Sequence, residues 1–159
     1  MVTPVAATSA AQQTDRELVE RVAGGDRAAV RLLFMRHHAR IYRFVARQTG
    51  SEMMADDIAN EVFLELWRQA PAFQGRSEVS TWLLGIARFK ALSALRGMVN
   101  ALAEEHRTVI DLAYYHAKSV AEIAEVLSIP VATVKTRMFY ARRKLGEALQ
   151  AAGFERGWP

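Results

Sequence analysis

Residues 119–145 read SVAEIAEVLSIPVATVKTRMFYARRKL, and this stretch predicts two helices joined by a tight turn. Ser119 and Glu122 have the spacing of a capping box, which begins the first helix. Ser128 and Pro130 predict the turn, because proline is tolerated where a following helix begins. The second helix carries a narrow apolar stripe that consists of Val134, Met138, Ala141 and Leu145. The pattern indicates a helix-turn-helix.

The second helix is strongly basic, because residues 128–145 contain five cations and no acid. In a helix-turn-helix the second helix enters the major groove and its N-terminal residues reach the base edges. We therefore expect base contacts from Ala132, Lys135, Thr136 and either Phe139 or Tyr140. We expect phosphate contacts, which set register without reading sequence, from Thr133, Arg137, Arg142 and Arg143. The alternative is a solvated basic face on an ordinary surface helix.

The remaining sequence predicts further helices and no strands. Thr14 and Glu17 form a second capping box, the Gly24-Gly25 pair ends that helix, and Asp26 caps a long helix that reaches about Gln48. The expected buried stripe of that long helix is Val30, Leu33, Phe34, Ile41, Phe44 and Val45. Later helices are expected over 51–70, over 80–96 with Ser77 or Ser80 as cap, and over 101–116. The fold class is all-α, in two small helical domains.

Composition narrows the class of protein. The chain has 159 residues, 51% of them hydrophobic, a net charge of +4 and no cysteine. These values fit a globular chain and permit a polyanionic partner. No apolar run approaches the ~20 residues that span a bilayer, so no membrane insertion is expected and a cytoplasmic location is the simplest interpretation. Residues 1–13 and 151–159 are predicted to be terminal tails.

The helix over 51–70 carries the opposite charge. Five acids and no cation lie between residues 51 and 67. Such a helix is poorly suited to DNA, and it could instead dock a basic protein partner, with Phe63 and Trp67 as possible anchors. Phe63 is interpreted as a core residue, whereas Trp67 is compatible with either role.

Aromatic and basic residues alternate between residues 73 and 96. Phe73, Trp82 and Phe89 are interleaved with Arg76, Arg88, Lys90 and Arg96. Rings among cations suit a single nucleic-acid strand, because every base can stack and every nucleotide has a phosphate. The alternative is that Trp82 is simply buried.

These three segments occur in the order DDIANEVFLELW, FQGRSEVSTWLLGIAR and SVAEIAEVLSIPVATVKTRMFYARRKL. In that order the chain resembles a bacterial RNA polymerase sigma factor of the extracytoplasmic-function group, from about Asp15 to Leu149. The resemblance implies an N-terminal sigma-2-like helical bundle over 14–96 and a C-terminal sigma-4-like helix-turn-helix domain over 101–150. It implies a sigma factor that binds core polymerase and promoter DNA, directs initiation at specific promoters, and is commonly held inactive by an anti-sigma factor.

The resemblance also implies three sets of site residues. The set expected to bind the clamp helices of the polymerase's largest subunit is Asp56, Asp57, Asn60, Glu61, Leu64 and Trp67. The set expected to recognise and open the −10 element, with an unpaired base captured in the loop 73–79, is Phe73, Arg76, Ser77, Trp82, Arg88, Phe89 and Lys90. The set expected to read the −35 element is Ala132, Thr133, Lys135, Thr136, Arg137, Tyr140, Arg142 and Arg143.

The chain departs from the family pattern at three places. Asn60 stands where glutamine is usual, and Phe89 stands where many members have an asparagine that holds the −10 strand. The third departure is the junction, because only residues 97–100 separate the predicted domains where the family has a linker of some tens of residues. Four extended residues span at most about 14 Å, whereas one turn of DNA is about 34 Å. We therefore hypothesise that a linker segment is missing from this sequence, and an intact mass of 17.8 kDa would contradict this.

Two other classes of function are weighed against this one. A regulator that uses only its helix-turn-helix would leave the acidic helix and the aromatic-basic segment without a role. An enzyme is not expected, because the sequence has no Gly-rich phosphate loop and no nucleophile motif. Neither a metal nor another cofactor is expected either, since the four histidines lack metal-ligand spacing and the adjacent His37 and His38 point to different helix faces.

Overall fold

The computed structural model describes residues 12–154, and every regular element in that range is a helix. The seven α-helices are α1 Asp15–Ala23, α2 Arg27–Thr49, α3 Glu52–Gln69, α4 Val79–Asn100, α5 Glu104–Ile110, α6 Val120–Leu127 and α7 Val131–Ala151. A 3-10 turn, Ala70–Ala72, follows α3, and a π-helical turn, Asp111–Tyr115, continues α5. The predicted all-α class is confirmed. Most of each predicted tail, residues 1–11 and 155–159, lies outside the described residues.

The predicted helix starts are confirmed at four of the caps. Both capping boxes form, at Thr14 with Glu17 and at Ser119 with Glu122. Ser51 caps α3, and Asp26 caps α2 through the backbone N–H groups of the first turn. The Arg21 guanidinium donates to Asp26 at 2.6 Å and holds the pKa of that carboxyl below its usual range. Of the two caps predicted for α4, Ser80 is wrong, because α4 begins at Val79 and so includes Ser80 in its first turn.

The chain divides into two compact units, the first ending at Ala91 and the second beginning at Leu92. In the first unit α2 packs mainly against α3, and α1 packs against both α2 and the 3-10 turn. Its largest fully buried side chains include Leu18, Leu33, Ile41, Leu66 and Leu83. Phe63 is buried, as predicted.

The buried stripe of α2 differs from the predicted one. Its buried residues are Ala29, Leu33, His37, Ile41, Val45 and Thr49, which recur strictly every four residues. Phe34 is therefore one position off the stripe and is exposed, although its ring contacts those of His38 and Phe63. Buried His37 is stabilised by Asp15, whose Oδ2 lies 2.7 Å from its Nε2. A hydrogen-bonded histidine thus takes a core position that the apolar pattern did not indicate.

The second unit contains the predicted helix-turn-helix. Val134, Met138, Ala141 and Leu145 are all buried, so the apolar stripe of α7 is confirmed. Three of them pack against Val109, Ile110 and Ile123 from α5 and α6. The turn is tight because Ser128 adopts a left-handed conformation with φ of 54°, and its N–H bonds to a carbonyl near the end of α6. These contacts present the opposite side of α7 to solvent.

The junction predicted over residues 97–100 is helical rather than extended. α4 continues to Asn100, and only residues 101–103 lie between α4 and α5. Gly97 does not end the helix, because the carbonyl of this glycine accepts from the N–H of Ala101 within the regular helical pattern. Within residues 12–154, no helix combines the length and the apolar character that crossing a membrane requires.

Candidate protein- and nucleic-acid-binding surfaces

The outer face of α3 presents all six residues predicted to bind polymerase. Each is exposed, and Leu64 is the most exposed apolar member at 63%. Their positions at 56, 57, 60, 61, 64 and 67 recur at three- and four-residue steps, which places them along one side of a helix. The opposite side holds the buried residues Ile58, Val62 and Leu66. The sequence did not decide whether Trp67 is a core residue or an anchor for a partner. Its side chain is partly exposed beside the acids.

Two of the neighbouring acids on α3 interact with α4. Lys90 Nζ lies 3.8 Å from Glu61 and 3.6 Å from Glu65. Gln69 donates to Glu65 at 2.7 Å, and this bond, with the nearby positive charges of Lys90 and Arg68, lowers the pKa of the Glu65 carboxyl. Lys90 was predicted to contact the −10 strand, and in the free protein its ammonium group lies against the acids of α3.

The loop between α3 and α4 surrounds a cavity of about 300 Å³. Phe73, Gln74 and Gly75 line one side, and Arg16 and Glu20 of α1 line the other. Arg16 donates to the Gly75 carbonyl at 2.8 Å. Gly75 has φ of +67°, a left-handed conformation that favours glycine, and a Cβ there would displace the Arg16 guanidinium, which lies 2.7 Å from that position. This is the loop in which an unpaired base was predicted to be captured, with Arg76 and Ser77 exposed on it.

The predicted −10 residues of α4 have different environments. Trp82 is half-buried, and its ring lies 4.4 Å from the ring of Phe73. Trp82 is therefore neither fully buried nor fully exposed. Phe89 is 71% exposed and Arg88 is exposed beside it. An exposed phenylalanine of this size can stack on a base.

The outer face of α7 presents the predicted −35 residues. Ala132, Lys135 and Thr136 are exposed near its start, and Tyr140, Arg142 and Arg143 are exposed further along. Thr133 and Arg137 are half-buried at the margin. The Thr136 hydroxyl donates to the carbonyl of Ala132, so in the free protein it is satisfied within the helix.

Each of the three predicted phosphate-binding arginines already has an intramolecular partner. Arg137 lies 3.7 Å from Glu105, and Arg143 lies 3.4 Å from Glu147. Arg142 donates to the Tyr114 hydroxyl at 3.0 Å and its guanidinium lies over the Tyr114 ring. In contrast, Lys135 forms no ion pair within residues 12–154. These pairs are exposed or half-exposed and can be exchanged for other partners.

The sequence left Phe139 and Tyr140 as alternative base contacts. Phe139 is 62% exposed, more than Tyr140, and it lies four residues after Lys135 on the same side of α7. Two other residues at these surfaces were not selected from the sequence. Arg16 and Glu105 belong to other helices, and their proximity depends on the fold rather than on a local pattern. Sequence spacing could not have identified them.

Two family models match adjoining parts of the chain. The model described as "Sigma-70 region 2" matches residues 33–98, and the model described as "Sigma-70, region 4" matches residues 92–145. The two matches meet over residues 92–98, so no unmatched segment lies between them. They contain the acidic face of α3, the exposed side of α4 and the basic face of α7.

Curated relatives match almost from end to end. The RNA polymerase sigma-H factor of Pseudomonas aeruginosa is 28% identical over 184 aligned positions, which cover 87% of this chain and 95% of that protein. The ECF RNA polymerase sigma factor SigL of Mycobacterium tuberculosis is 29% identical over 174 positions, covering 87% and 98%. Both alignments have more positions than this chain has residues, so each relative carries tens of residues within the matched span that this chain lacks.

Solved structures also match, among them that of CnrH in complex with the cytosolic domain of CnrY, at 28% identity, a TM-score of 0.44, and coverage of 87% of this chain and 99% of that one. The assignment rests on the two family models, which together extend from residue 33 to residue 145, and on the curated relatives. The chain belongs to the sigma-70 family, and within it to the extracytoplasmic-function group of RNA polymerase sigma factors.

Proposed function

We propose that this chain binds core RNA polymerase and directs it to start transcription at specific promoters. The observation that supports this most directly is the exposure of all six predicted polymerase-binding residues on one side of α3, in a chain that also exposes a basic helix-turn-helix. A regulator that only binds DNA has no use for an exposed acidic helix with Leu64 and Trp67 among its acids.

Each surface has its own part in this function. The acidic side of α3 binds the clamp helices of the largest polymerase subunit through charge complementarity with apolar contacts at Leu64 and Trp67. The loop 73–79 and the exposed residues of α4 hold the parted −10 strand. The outer face of α7 reads the −35 element, with Lys135 reaching base edges and the arginines contacting phosphates. The chain supplies binding energy and orientation, and the polymerase carries out the chemistry.

Opening the duplex explains why core enzyme is required. Unstacking costs roughly a few kcal/mol per base step. Binding of the captured bases offsets only part of that cost. The isolated chain is therefore expected to bind promoter duplex weakly, and the complex with polymerase is expected to open it.

Run-off transcription from a promoter library with purified core enzyme tests the proposal. We expect core enzyme with this chain to start at a defined set of promoters that core enzyme alone does not use. If the chain bound DNA but never changed where core enzyme starts, it would be a helix-turn-helix regulator instead.

Control by an anti-sigma factor in the cytoplasm is the second part of the proposal. The acidic side of α3 and the basic side of α7 are both open in the free chain, so a protein that covers either one would block initiation. A pull-down with the complete chain from its own cells, followed by a transcription assay with the captured protein, tests this. An inhibitor should suppress run-off transcription by this chain and leave transcription by another sigma factor unchanged.

The short connection between α4 and α5 gives a test of how the two units cooperate. Even if residues 97–103 were fully extended, they would reach only about 25 Å, less than the ~34 Å of one DNA turn. Inserting a flexible Gly/Ser segment of about thirty residues after Ala101 should therefore raise initiation at promoters that need both elements. Core binding should be unchanged. If the insertion lowered initiation, the short connection would be suited to promoter engagement as it stands.

A further inference from the structure

A second cavity, separate from the loop cavity, lies between α3 and α4. It measures about 460 Å³, within the range of small-ligand sites in proteins. Its apolar walls are Trp82, Ile86 and Phe89, and its polar groups are Glu65, Gln69 and Lys90. All of these residues belong to the first unit.

Gly85 lines the same cavity and gives an independent reason to expect a ligand. Glycine in a helix interior costs roughly 0.5–1 kcal/mol relative to alanine. Packing does not require glycine here, because a Cβ at this position would meet no atom within 4 Å. Its conformation does not require glycine either, since its φ is not positive. Because Gly85 has no side chain, another molecule can approach the backbone of α4 closely at this position.

The walls and the surrounding charge favour a nucleobase as the occupant. Phe89 is 71% exposed, and Trp82 is half-buried, so both rings are available for stacking. Arg88 is exposed next to Phe89 on α4, so a cation is available for the phosphates of a strand. A purely apolar protein segment would gain nothing from the polar groups of Glu65 and Gln69.

The Phe73–Trp82 ring pair lies between this cavity and the loop expected to capture a base. Phe73 lines the loop cavity, Trp82 lines the second cavity, and the two rings are 4.4 Å apart. A strand that places one base in the loop therefore passes the Phe73–Trp82 pair before it reaches Phe89.

The carboxylate of Glu65 gives the cavity a preference for one chemical class of base. Glu65 is surrounded by Gln69, Lys90 and Arg68, which hold it in its ionised form. An ionised carboxylate only accepts hydrogen bonds. It therefore favours a base that offers an exocyclic amine, as cytosine and adenine do, over thymine, which presents a carbonyl oxygen there.

We propose that the cavity between α3 and α4 binds one unstacked, amine-bearing nucleobase, held between Trp82 and Phe89 and recognised by Glu65. This deepens the proposed function, on which it rests, by assigning a second base site and its chemical preference. Phe89 is then the specific contribution of this chain, because many family members have asparagine at its position.

Binding of the complete chain to fluorescent single strands of about ten nucleotides tests the proposal. The probes are oligo-dC, oligo-dT and an oligonucleotide of 2-pyrimidinone, which differs from cytosine only by the missing amine. We expect oligo-dC to bind more tightly than both of the others. The variant E65Q, whose amide both donates and accepts, should reduce that preference towards unity.

Two further variants address the walls. F89A should weaken oligo-dC binding by about 5- to 150-fold, as loss of one stacked base predicts. G85L should weaken it similarly by filling the cavity, and G85A, which places a methyl group where the base approaches the backbone of α4, should weaken it to a smaller extent. Y115A, which removes an exposed aromatic ring from the second unit, is the matched control. Circular dichroism confirms that each variant is folded.

Three results would overturn the proposal: no measurable binding of any single strand, equal binding of the three probes, or unchanged binding by F89A and G85L. If F89A and G85L lost core-polymerase binding while single-strand binding stayed intact, the occupant would be a protein. Run-off transcription by the wild-type chain separates these failures from failure of the proposed function, because promoter-directed initiation would stand even if this cavity bound no base.

Discussion

The outer faces of α3 and α7 are both charged and exposed, but their charges have different partners. On α3, Asp56 and Asp57 form no ion pair within the part of the chain that the structure describes. On α7, Arg137, Arg142 and Arg143 each contact Glu105, Tyr114 or Glu147. Among the described residues, only Glu61 of the three predicted acids on α3 has an internal partner, Lys90, whereas each of the three predicted arginines on α7 must first leave one.

This difference suggests how the two faces divide affinity and specificity. Unpaired acids attract a basic partner over a distance and increase the association rate without an internal cost. Paired arginines lose an internal contact when they bind a phosphate, so each contributes less to the free energy of DNA binding. Lys135 forms no ion pair within residues 12–154, so it gives up none when it binds DNA, and it is the cation predicted to read bases.

The largest expected effect comes from reversing two acids on the outer face of α3: Asp57, which is unpaired within the described part of the chain, and Glu61, which pairs with Lys90. The double variant D57K/E61K should reduce affinity for core polymerase by about 100-fold or more, since like charges across an interface cost several kcal/mol. Surface plasmon resonance with immobilised core enzyme measures this. Binding of the −35 element by the same variant should be unchanged.

The matched control for that variant is E20K/E125K, which makes the same change in net charge at exposed positions outside α3. It should bind core enzyme as the wild type does. If both double variants lost affinity equally, overall charge rather than the α3 face would govern binding. If neither lost affinity, α3 would not be the polymerase-binding surface.

The next largest effect separates a reading cation from a positioning one. K135A should lose about 1–3 kcal/mol of discrimination between the preferred −35 sequence and a single-base variant. R143A should instead weaken binding to every sequence and reduce the salt dependence by about one charge. Fluorescence anisotropy over a series of salt concentrations and duplex sequences distinguishes the two. Retained sequence preference in K135A would mean that another residue of α7 reads the bases.

The helices and caps could be predicted from local sequence because their signals lie within a few residues. Thr14 with Glu17 and Ser119 with Glu122 are capping boxes in both sequence and structure. The stripe from Val134 to Leu145 was predictable because a helix repeats its faces every three or four residues. The exposure of the α3 acids followed from the same periodicity.

The features that were missed depend on contacts between distant residues. His37 is buried because Asp15 from α1 reaches it, and no local pattern signals that pairing. Phe34 is exposed because the core takes every fourth residue of α2, which shifts the stripe away from the bulkier side chain. Residues 97–100 were predicted to separate two helices, and the structure continues α4 through them to Asn100. The cavity at Phe89 likewise depends on the fold, which brings Glu65 and Gln69 of α3 beside Phe89 of α4.

The smallest expected effect tests whether the internal partner of Arg137 weakens DNA binding. E105Q removes the ion pair, so Arg137 can meet a phosphate without first leaving Glu105. We expect affinity for −35 duplex to rise by up to about fivefold, the value of one exposed ion pair. In an R137Q background the same substitution should have little effect.

Removing any acid near a DNA-binding face increases its positive potential, so a matched substitution is needed. E104Q removes the neighbouring charge on α5 but no ion pair with Arg137, and it should raise affinity less than E105Q does. Titrations of all four variants with one duplex at one salt concentration complete the double-mutant cycle. Equal gains from E104Q and E105Q, or a gain from E105Q that persists without Arg137, would mean that general electrostatics accounts for the effect. The arginines of α7 would then be as available as the acids of α3, and the contrast between the two faces would be one of sign alone.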